Sequence, residues 1–440
     1  MAMRKRWEVE FPNAAGVDVG ASMHYVAVPP DRAEAPVKQF GVFTADLEAL
    51  ADWLSQCGVD TVALESTGVY WIALYEVLER RGFRVFLVNT RAVKNVPGRK
   101  SDVLDCQWLQ QLMSYGLLRG AYRPQDSVCV VRAVVRHRET LLQEQARQIQ
   151  RMQKALTQMN LQLAEVLSDV MGATGEAIIR AIVAGERDGA KLARLRHGRV
   201  RADEATIARA LTGHWREEHL FVLGQAVALY DAYGLQIKGC DEKIEALLAG
   251  LAGTQAKPEG KGKARTKSSP GFDLRTALYR WAGVDLTRIN ALDATTVLKV
   301  LAEIGTDFSR FPTVKHFCAW INICPGTRIT GGKRISGRAK VAANRVKQAL
   351  KMAAMSLSRS QSALGAYYRR MCTRMDKAKA NTAAAHKLAR MIYFMVTRGE
   401  AFVDRGEAHY EKSYRQRSIA NLKRRAAAMG LTLVETPKPA

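Results

Sequence analysis

Four acidic residues of the chain stand where they could share a metal ion. Asp102 and Asp105 are three residues apart in a run without helix breakers, SDVLDCQWL. Residues with this spacing share one face of a helix, so both carboxylates should point the same way. Two like charges this close repel each other, and a cation between them removes the repulsion. Because Asp18 and Glu65 each end a short apolar run of strand character, we predict that the four acids form one metal site.

The cysteines indicate which metal such a site would take. The seven cysteines are odd in number and none has CxxC spacing, so we expect reduced thiols in a cytoplasmic protein and no zinc site. The metal ligands would then be carboxylates, which favour Mg²⁺, with Mn²⁺ as the alternative. Carboxylate-held cations of this kind are widely used to cleave phosphodiesters.

The charge of the chain indicates its partner. Lys and Arg number 67 and Asp and Glu 42, which leaves a net charge of +25. An excess this large suits nucleic acid first and an acidic membrane surface second. No apolar run is expected to reach the length of a membrane span, and no signal-peptide core follows the basic start of the chain, so we expect no membrane partner.

Residues 1–128 have the pattern of an α/β domain. Three strand-like runs precede alternating helix and strand, which predicts a mixed sheet with helices on both faces. In such sheets the chemistry usually lies at the carboxyl ends of the strands, where Asp18 and Glu65 fall. The predicted strands are 14–19, 24–28, 37–43, 61–64 and 84–88, and the predicted helices are 45–58, capped by Thr44, and 70–81.

The rest of the chain is predicted to be all-α. Residues 129–251 form a helical region in which apolar side chains every three or four residues over 139–168 predict a coiled-coil seam, followed by a second long helix over 221–251. Three interpretations of this region stay open: a dimerisation element, an arm that binds nucleic acid, or a plain helical bundle. Residues 252–270 predict a flexible basic linker, and 271–440 a mainly helical C-terminal domain with a basic tail.

A glycine-rich basic loop lies in the C-terminal domain. Residues 324–340 read CPGTRITGGKRISGRAK, and their glycines would let the backbone approach a phosphate closely. The spacing is not that of a nucleotide-binding P-loop. The loop is either a DNA contact or a solvated loop. Upstream, Asp293 is predicted to cap a helix that ends at Gly305, and long helices are predicted over 344–364 and 383–396.

Several of these motifs together resemble one known family. GVDVG with Asp18, ALESTGVYW with Glu65, and KSDVLDCQWL with Asp102 and Asp105 are similar to the DEDD motifs of an insertion-sequence transposase family. The resemblance continues through VVRHRETL at 134–141 and through the C-terminal run from Phe317 to Leu350. Members of that family have a RuvC-like, ribonuclease-H-like N-terminal domain and a C-terminal serine-type transposase domain.

The resemblance implies a site-specific DNA recombinase that inserts and excises its own mobile element. It implies Mg²⁺ bound by the four acids, and a structured bridge RNA that guides the protein to donor and target DNA. It also implies a covalent phosphoserine, and an assembly, from dimer to tetramer, in which acids and serine come from different subunits. The implied location is the prokaryotic cytoplasm, in association with the nucleoid.

The sequence departs from the family at the nucleophile. The position of the family's serine is occupied by Thr330, whose methyl group crowds the hydroxyl and restricts χ1. Three accounts stay open: Thr330 is the nucleophile, Ser336 has taken the role, or the protein is inactive. The residues predicted to bind nucleic acid are Arg99, Lys100, Lys333, Arg334, Arg338, Lys340, Arg345, Lys387 and Arg390.

Two other functions fit the same residues. A metal-dependent nuclease or junction resolvase would need the four acids but no covalent hydroxyl. A nucleic-acid-binding protein without catalysis would bind with steep salt dependence but would exchange no strands.

Overall fold

A computed structural model describes residues 8–65, 68–88, 102–336 and 344–434, and of Asp102, Arg328, Arg334 and Ser336 it describes the backbone alone. The chain divides into two compact units, Met1–Arg123 and Pro124–Ala440. The division into four regions at 128, 251 and 270 stays a prediction.

The first unit is a mixed five-stranded sheet covered by helices, the ribonuclease-H-like class predicted from the sequence. The strand order is β3-β2-β1-β4-β5; β1 pairs antiparallel with β2 and parallel with β4, which pairs parallel with β5. The strands are β1 Ala14–Val19, β2 His24–Ala27, β3 Val37–Phe40, β4 Thr61–Glu65 and β5 Arg84–Val88, and the helices are α1 Thr44–Gln56, α2 Trp71–Arg80 and α3 Asp102–Ser114.

Each face of this sheet has its own apolar layer. Alternate residues of β1 and β4, among them Val17 and Leu64, pack against α1 and α2. The residues between them, Ala14 and Ala63, pack with Leu109 and Met113 of α3. Strands buried on both faces explain the continuous apolar runs of the sequence.

One helix start was predicted wrongly. The N-cap of α1 is Phe43 rather than Thr44, and the carboxylate of Asp46 accepts a hydrogen bond from the Phe43 amide at 3.2 Å. The acid three residues into the helix therefore fixes its first turn, which a search for a capping hydroxyl overlooks.

Where the structure describes it, the second unit is helical apart from one small hairpin. Its helices are α4 Asp126–Gln158, α5 Leu163–Val166, α6 Ala173–Val183, α7 Gly189–Ala193, α8 Glu204–Ala210, α9 Glu217–Gly250, α10 Leu274–Ala282, α11 Ala294–Ile304, α12 Val314–Trp320, α13 Arg345–Met355, α14 Ala363–Arg374, α15 Lys377–Arg398 and α16 Gly406–Ala428, with 3-10 turns at Leu286–Arg288 and Ser356–Arg359. The hairpin consists of β6 Arg328–Thr330 and β7 Lys333–Ser336.

The two long helices α4 and α9 pack against each other along their length. The predicted seam is therefore covered in part by the chain's own second helix. The first helix ends at Gln158 rather than near 168, since Asn160 takes a left-handed conformation with φ of 55°. The apolar residues beyond it belong to a separate core with α6, α8 and the start of α9.

Helix α9 is, among the described helices, the one long and apolar enough by length and composition to cross a membrane. The expectation that no run reaches this length was wrong. Core helices of soluble proteins meet the same criterion. In α9 Asp241 is buried in an ion pair with Arg138 of α4.

The segment predicted as a flexible linker has no regular secondary structure but has specific anchors. Lys263 donates hydrogen bonds to the carbonyl oxygens of Ile289 at 2.8 Å and Leu292 at 2.6 Å. Lys267 donates to the carbonyl oxygen of Met171 at 3.1 Å and pairs with Asp169. These basic side chains hold the segment to its neighbours, which composition alone does not reveal.

The other helices of this unit agree in part with the sequence. Asp293 caps α11 by accepting from the amide of Thr296 at 2.7 Å, and the helix ends at Gly305 as predicted. The helix predicted over 344–364 is instead interrupted after Met355, where a 3-10 turn leads into α14. Ser362 caps α14, so the polar run SLSRSQS forms the boundary between α13 and α14.

Candidate active site

Helix α3 lies directly on strand β1, and Gly16 makes this close approach possible. A β-carbon built at Gly16 would lie 2.3 Å from the carbonyl oxygen of Cys106 and 2.3 Å from the amide nitrogen of Gln110. No side chain larger than hydrogen fits between this strand and this helix. The contact fixes the height of the first turns of α3 above the sheet.

Asp18 and Glu65 stand side by side on the face that α3 covers. The parallel register pairs Val17 with Leu64, so Asp18 and Glu65 are the next residues along β1 and β4. Side chains alternate along a strand, so Asp18 shares the face of Gly16, and Glu65 shares the face of Ala63, which packs with α3. Neighbouring strands are about 4.8 Å apart, so the two side chains leave the sheet about that far from each other. Glu65 is only 8% exposed.

The first turn of α3 carries two further acids. Asp102 begins the helix and Asp105 follows one turn later. Cys106, beside Asp105, donates its thiol hydrogen to the carbonyl oxygen of Val103 at 3.1 Å. Burial raises the pKa of this thiol to about 12, and the negative charges of Asp18 and Asp105 also raise it. The charges of Asp18 on β1 and Asp105 on α3 therefore both act on the Cys106 thiol.

The donor set suits a hard cation. Carboxylates from two adjacent strand ends and from one helical turn offer the oxygen ligands that Mg²⁺ prefers. Among the residues whose side chains are described, no three His, Cys, Asp or Glu side chains are grouped closely enough to hold a metal ion. The side chain of Asp102 lies outside that set. The four-acid metal site therefore stays a prediction.

Thr330 occupies the end of strand β6, before a tight turn. Gly331 and Gly332 have φ of 55° and 75°, and Thr330 pairs with Lys333 across them. Two consecutive residues with positive φ form the turn that suits a two-residue hairpin, and glycine adopts them without strain. Thr330 is exposed. Ser336 ends β7, and its side chain lies outside the described residues.

The predicted nucleic-acid contacts fall into four groups, of which Lys387 alone forms the last. Lys333 and Arg390 are exposed. Arg345 is also exposed, but it pairs with Glu139, with 3.0 Å between Nη1 and Oε2. Arg99, Lys100, Arg338, Lys340 and the side chain of Arg334 lie outside the described residues.

Lys387 contacts aromatic rings. Its ammonium lies 4.3 Å from the ring centre of Tyr367 on α14 and 5.8 Å from that of Tyr410 on α16. Burial lowers the pKa of Lys387, and the charges of Arg417 and Arg390 act in the same direction. This lysine therefore helps to join three helices of the second unit.

Two family models match parts of the chain, and the first match extends across the division between the two units. A DEDD transposase model of the IS110 type matches residues 15–161, which include all five strands, α3 and α4. A transposase model of the IS116/IS110/IS902 family matches residues 285–369, which include the hairpin. The chain belongs to the IS110 family of DEDD transposases. A search of curated protein sequences found no match.

As an IS110-family transposase, the protein acts on the DNA of insertion elements. The first family match contains Asp18, Glu65, Asp102 and Asp105, and the second contains Thr330 and Ser336. Helices α15 and α16 lie outside both matches.

Sequence reasoning missed two features of these regions. Gly16 was overlooked, although a glycine inside an apolar strand is a signal for close backbone approach. The role of Tyr367 and Tyr410 around Lys387 was also missed, because residues so far apart in sequence show no shared pattern.

Proposed function

We propose that this IS110-family transposase cleaves and rejoins DNA through a covalent Thr330–phosphate ester, with Mg²⁺ held by Asp18, Glu65, Asp102 and Asp105. The observation that carries the proposal is that Asp18 and Glu65 occupy adjacent positions of β1 and β4 on the face of the sheet that α3 covers. When bound, Mg²⁺ neutralises the charge that develops on the phosphate during the reaction. The acids would hold it through their carboxylate oxygens.

The reaction at Thr330 is a transesterification. The hydroxyl oxygen of Thr330 attacks the phosphorus atom and loses its proton to solvent or to a nearby base. The bond from phosphorus to one DNA oxygen breaks, and that oxygen leaves with the electron pair and takes up a proton. Attack by a DNA hydroxyl on the threonine ester then rejoins the strand and restores Thr330. No water is consumed, and the number of phosphodiester bonds is kept.

The exposure of Thr330 at the turn supports this role, since a nucleophile on duplex DNA has to be accessible. The test is to trap a protein–DNA adduct on DNA spanning the end of the element, on a denaturing gel. We expect Thr330→Ala to abolish the adduct and Ser336→Ala to retain it. The reverse result would assign the nucleophile to Ser336. If both variants still form the adduct, the nucleophile lies outside this hairpin.

The four acids need a test that does not depend on turnover. Asp18→Asn and Glu65→Gln should each weaken Mn²⁺ binding, measured by electron paramagnetic resonance of the free ion. Glu76→Gln on α2 is the matched control, because Glu76 is an exposed acid of the same unit. Equal Mn²⁺ binding in all variants would contradict the proposed site.

A guide RNA is part of the proposal, and the net charge of +25 supports it. Sequencing the nucleic acid that copurifies with the protein tests this point. A discrete structured RNA from the flank of the element is expected, whereas random cellular RNA would contradict it. The proposed assembly is a dimer to tetramer, which the mass of the purified complex tests.

A nuclease or junction resolvase is the second candidate, and it rests on the same acids. It would hydrolyse DNA with water and form no ester with the protein. A chelator would stop both enzymes, so the trapped adduct is the measurement that separates them.

A further inference from the structure

Two large apolar side chains are exposed on the hairpin that carries Thr330. Ile329 is 65% exposed and Ile335 is 67% exposed. A single exposed apolar residue is ordinary on a protein surface. Here two isoleucines stand on a ribbon of seven strand residues, 328–330 and 333–336, and one of them is next to the proposed nucleophile. Two exposed isoleucines on so small an element indicate a binding surface.

The backbone makes this hairpin a narrow ribbon. Its sheet has two strands and, among the described residues, no third strand pairs with either edge. The register changes between Arg328 and Ile329: Arg328 pairs with Ser336, but Ile329 pairs with Arg334, which leaves Ile335 as an extra residue. A bulge of this kind bends the strand locally and redirects a side chain. A two-stranded ribbon is also narrow enough to enter a DNA groove.

The charge around the ribbon identifies the partner. No Asp or Glu occurs between Asp307 and Asp376, whereas fourteen Lys or Arg occur in the same interval. The hairpin itself contributes Arg328, Lys333 and Arg334. Cations beside apolar groups suit a duplex with phosphates outside and stacked bases inside.

We infer that Ile329 and Ile335 form an apolar wedge that enters duplex DNA between base pairs beside the phosphate attacked by Thr330. The location of the wedge rests on the proposed function of Thr330. Inserted apolar side chains unstack a base step and kink the duplex. A kink changes the path of the backbone and exposes the phosphorus atom. That exposure would help a nucleophile whose own methyl group crowds its approach.

The experiment uses the full chain and short DNA duplexes in which adenines are replaced by 2-aminopurine, whose fluorescence rises on unstacking. One duplex is fully paired, and a second carries a two-base mismatch that is already unstacked. We expect binding of the unsubstituted protein to raise the fluorescence of the paired duplex. The double variant Ile329→Ala/Ile335→Ala should bind that duplex about tenfold more weakly and should not raise its fluorescence.

The mismatched duplex separates a wedge from a simple contact. There the double variant should bind within about twofold of the unsubstituted protein, because the DNA no longer has to be unstacked. Lys333→Ala is the matched control from the same hairpin. It should weaken binding to both duplexes equally and reduce the salt dependence, as expected for a phosphate contact. Ile335→Met keeps an apolar side chain and should keep the fluorescence change.

Three results would overturn the wedge. The first is binding of the unsubstituted protein without a rise in fluorescence, and the second is an equal loss by the double variant on both duplexes. The third is a difference in assembly mass between the double variant and the unsubstituted protein. That difference would assign the isoleucines to a contact between copies of the chain. Measuring the covalent adduct in the same samples separates the two proposals. An adduct without unstacking contradicts the wedge alone, and unstacking without an adduct contradicts the proposed nucleophile alone.

Discussion

The α-carbon of Gly16 lies so close beneath the backbone of Cys106 that a methyl group at Gly16 would come within 2.3 Å of the Cys106 carbonyl oxygen. This contact joins strand β1 to helix α3. Asp18 follows Gly16 by two residues on the same face of the strand, and Asp105 directly precedes Cys106. The spacing between the acids of the strand and those of the helix therefore depends on a glycine that does no chemistry.

Gly16→Ala should destabilise the first unit and separate the acids. The added methyl group meets backbone atoms, which cannot move aside as a flexible side chain can. Overpacking of this kind costs about 1–3 kcal/mol of unfolding free energy. We expect a lower denaturation midpoint in urea, together with loss of Mn²⁺ binding even under conditions where the variant is folded.

Gly239→Ala is the control for that substitution. Gly239 lies on helix α9, and a β-carbon built there meets no atom within 4 Å. Alanine in a helix is about 1 kcal/mol more favourable than glycine, so this variant should be slightly more stable and should bind Mn²⁺ normally. An unchanged midpoint for Gly16→Ala would contradict the close contact.

The first unit was predictable from the sequence to a large extent. Its strands are short apolar runs bounded by turns, and the acids that end β1 and β4 mark the functional edge. What periodicity could not supply was contact across the fold. Periodicity did not predict that α3 packs on Gly16, because no local pattern shows which element lies over a strand.

The second unit shows the same limit more clearly. Apolar spacing predicted that α4 has a buried face, but not that α9 of the same chain covers part of it. Composition indicated a flexible linker over 252–270, whereas Lys263 is held by two carbonyl oxygens that lie far along the chain. Tyr367 and Tyr410 meet around Lys387 for reasons of tertiary packing alone.

The buried ion pair between Arg138 and Asp241 should be essential to the α4–α9 pair. Arg138 also donates to the carbonyl oxygen of Ser268 at 3.0 Å, and Asp241 accepts from the amide of Gly271 at 3.1 Å. Asp241→Ala would leave a buried guanidinium without its counter-charge, and we expect a loss of about 3–5 kcal/mol in the free energy of unfolding.

Two comparisons make this prediction specific. Glu218→Ala removes the exposed partner of Arg216 and should leave the stability nearly unchanged, because solvent screens an exposed ion pair. The double variant Arg138→Met/Asp241→Leu should be more stable than Asp241→Ala, because no buried charge is left unpaired. A double variant as unstable as the single one would mean that packing, and not charge, dominates this contact.

Buried His24 should make the first unit less stable in acid. The side chain is 1% exposed, its Nδ1 has no hydrogen-bond partner, and burial lowers its pKa. At pH values above the ordinary pKa of about 6.5, His24 is neutral in both the folded and the unfolded chain. As the pH falls below that value, the unfolded chain binds a proton that the folded chain resists, so folding loses stability.

His24→Leu should remove the part of the pH dependence of stability that is due to His24. We expect urea midpoints of the unsubstituted protein to fall between pH 7.5 and pH 5.5, and those of His24→Leu to fall less. His409→Leu is the control, since His409 is an exposed histidine of α16. The same pH dependence in the unsubstituted protein and in His24→Leu would show that His24 is not the group responsible.

Thr330→Ser should speed formation of the covalent adduct if Thr330 is the nucleophile. Serine keeps the hydroxyl group, and removing the methyl group frees χ1 and opens the path for in-line attack. Relief of an unfavourable rotamer of about 0.5–1.5 kcal/mol corresponds to a rate about two to ten times higher. The measurement is the single-turnover rate of adduct formation, and binding of DNA should stay unchanged. An unchanged rate would mean that another step, such as unstacking of the DNA by the hairpin, limits the reaction. In that case the Ile329→Ala/Ile335→Ala variant should form the adduct more slowly, whether threonine or serine occupies position 330.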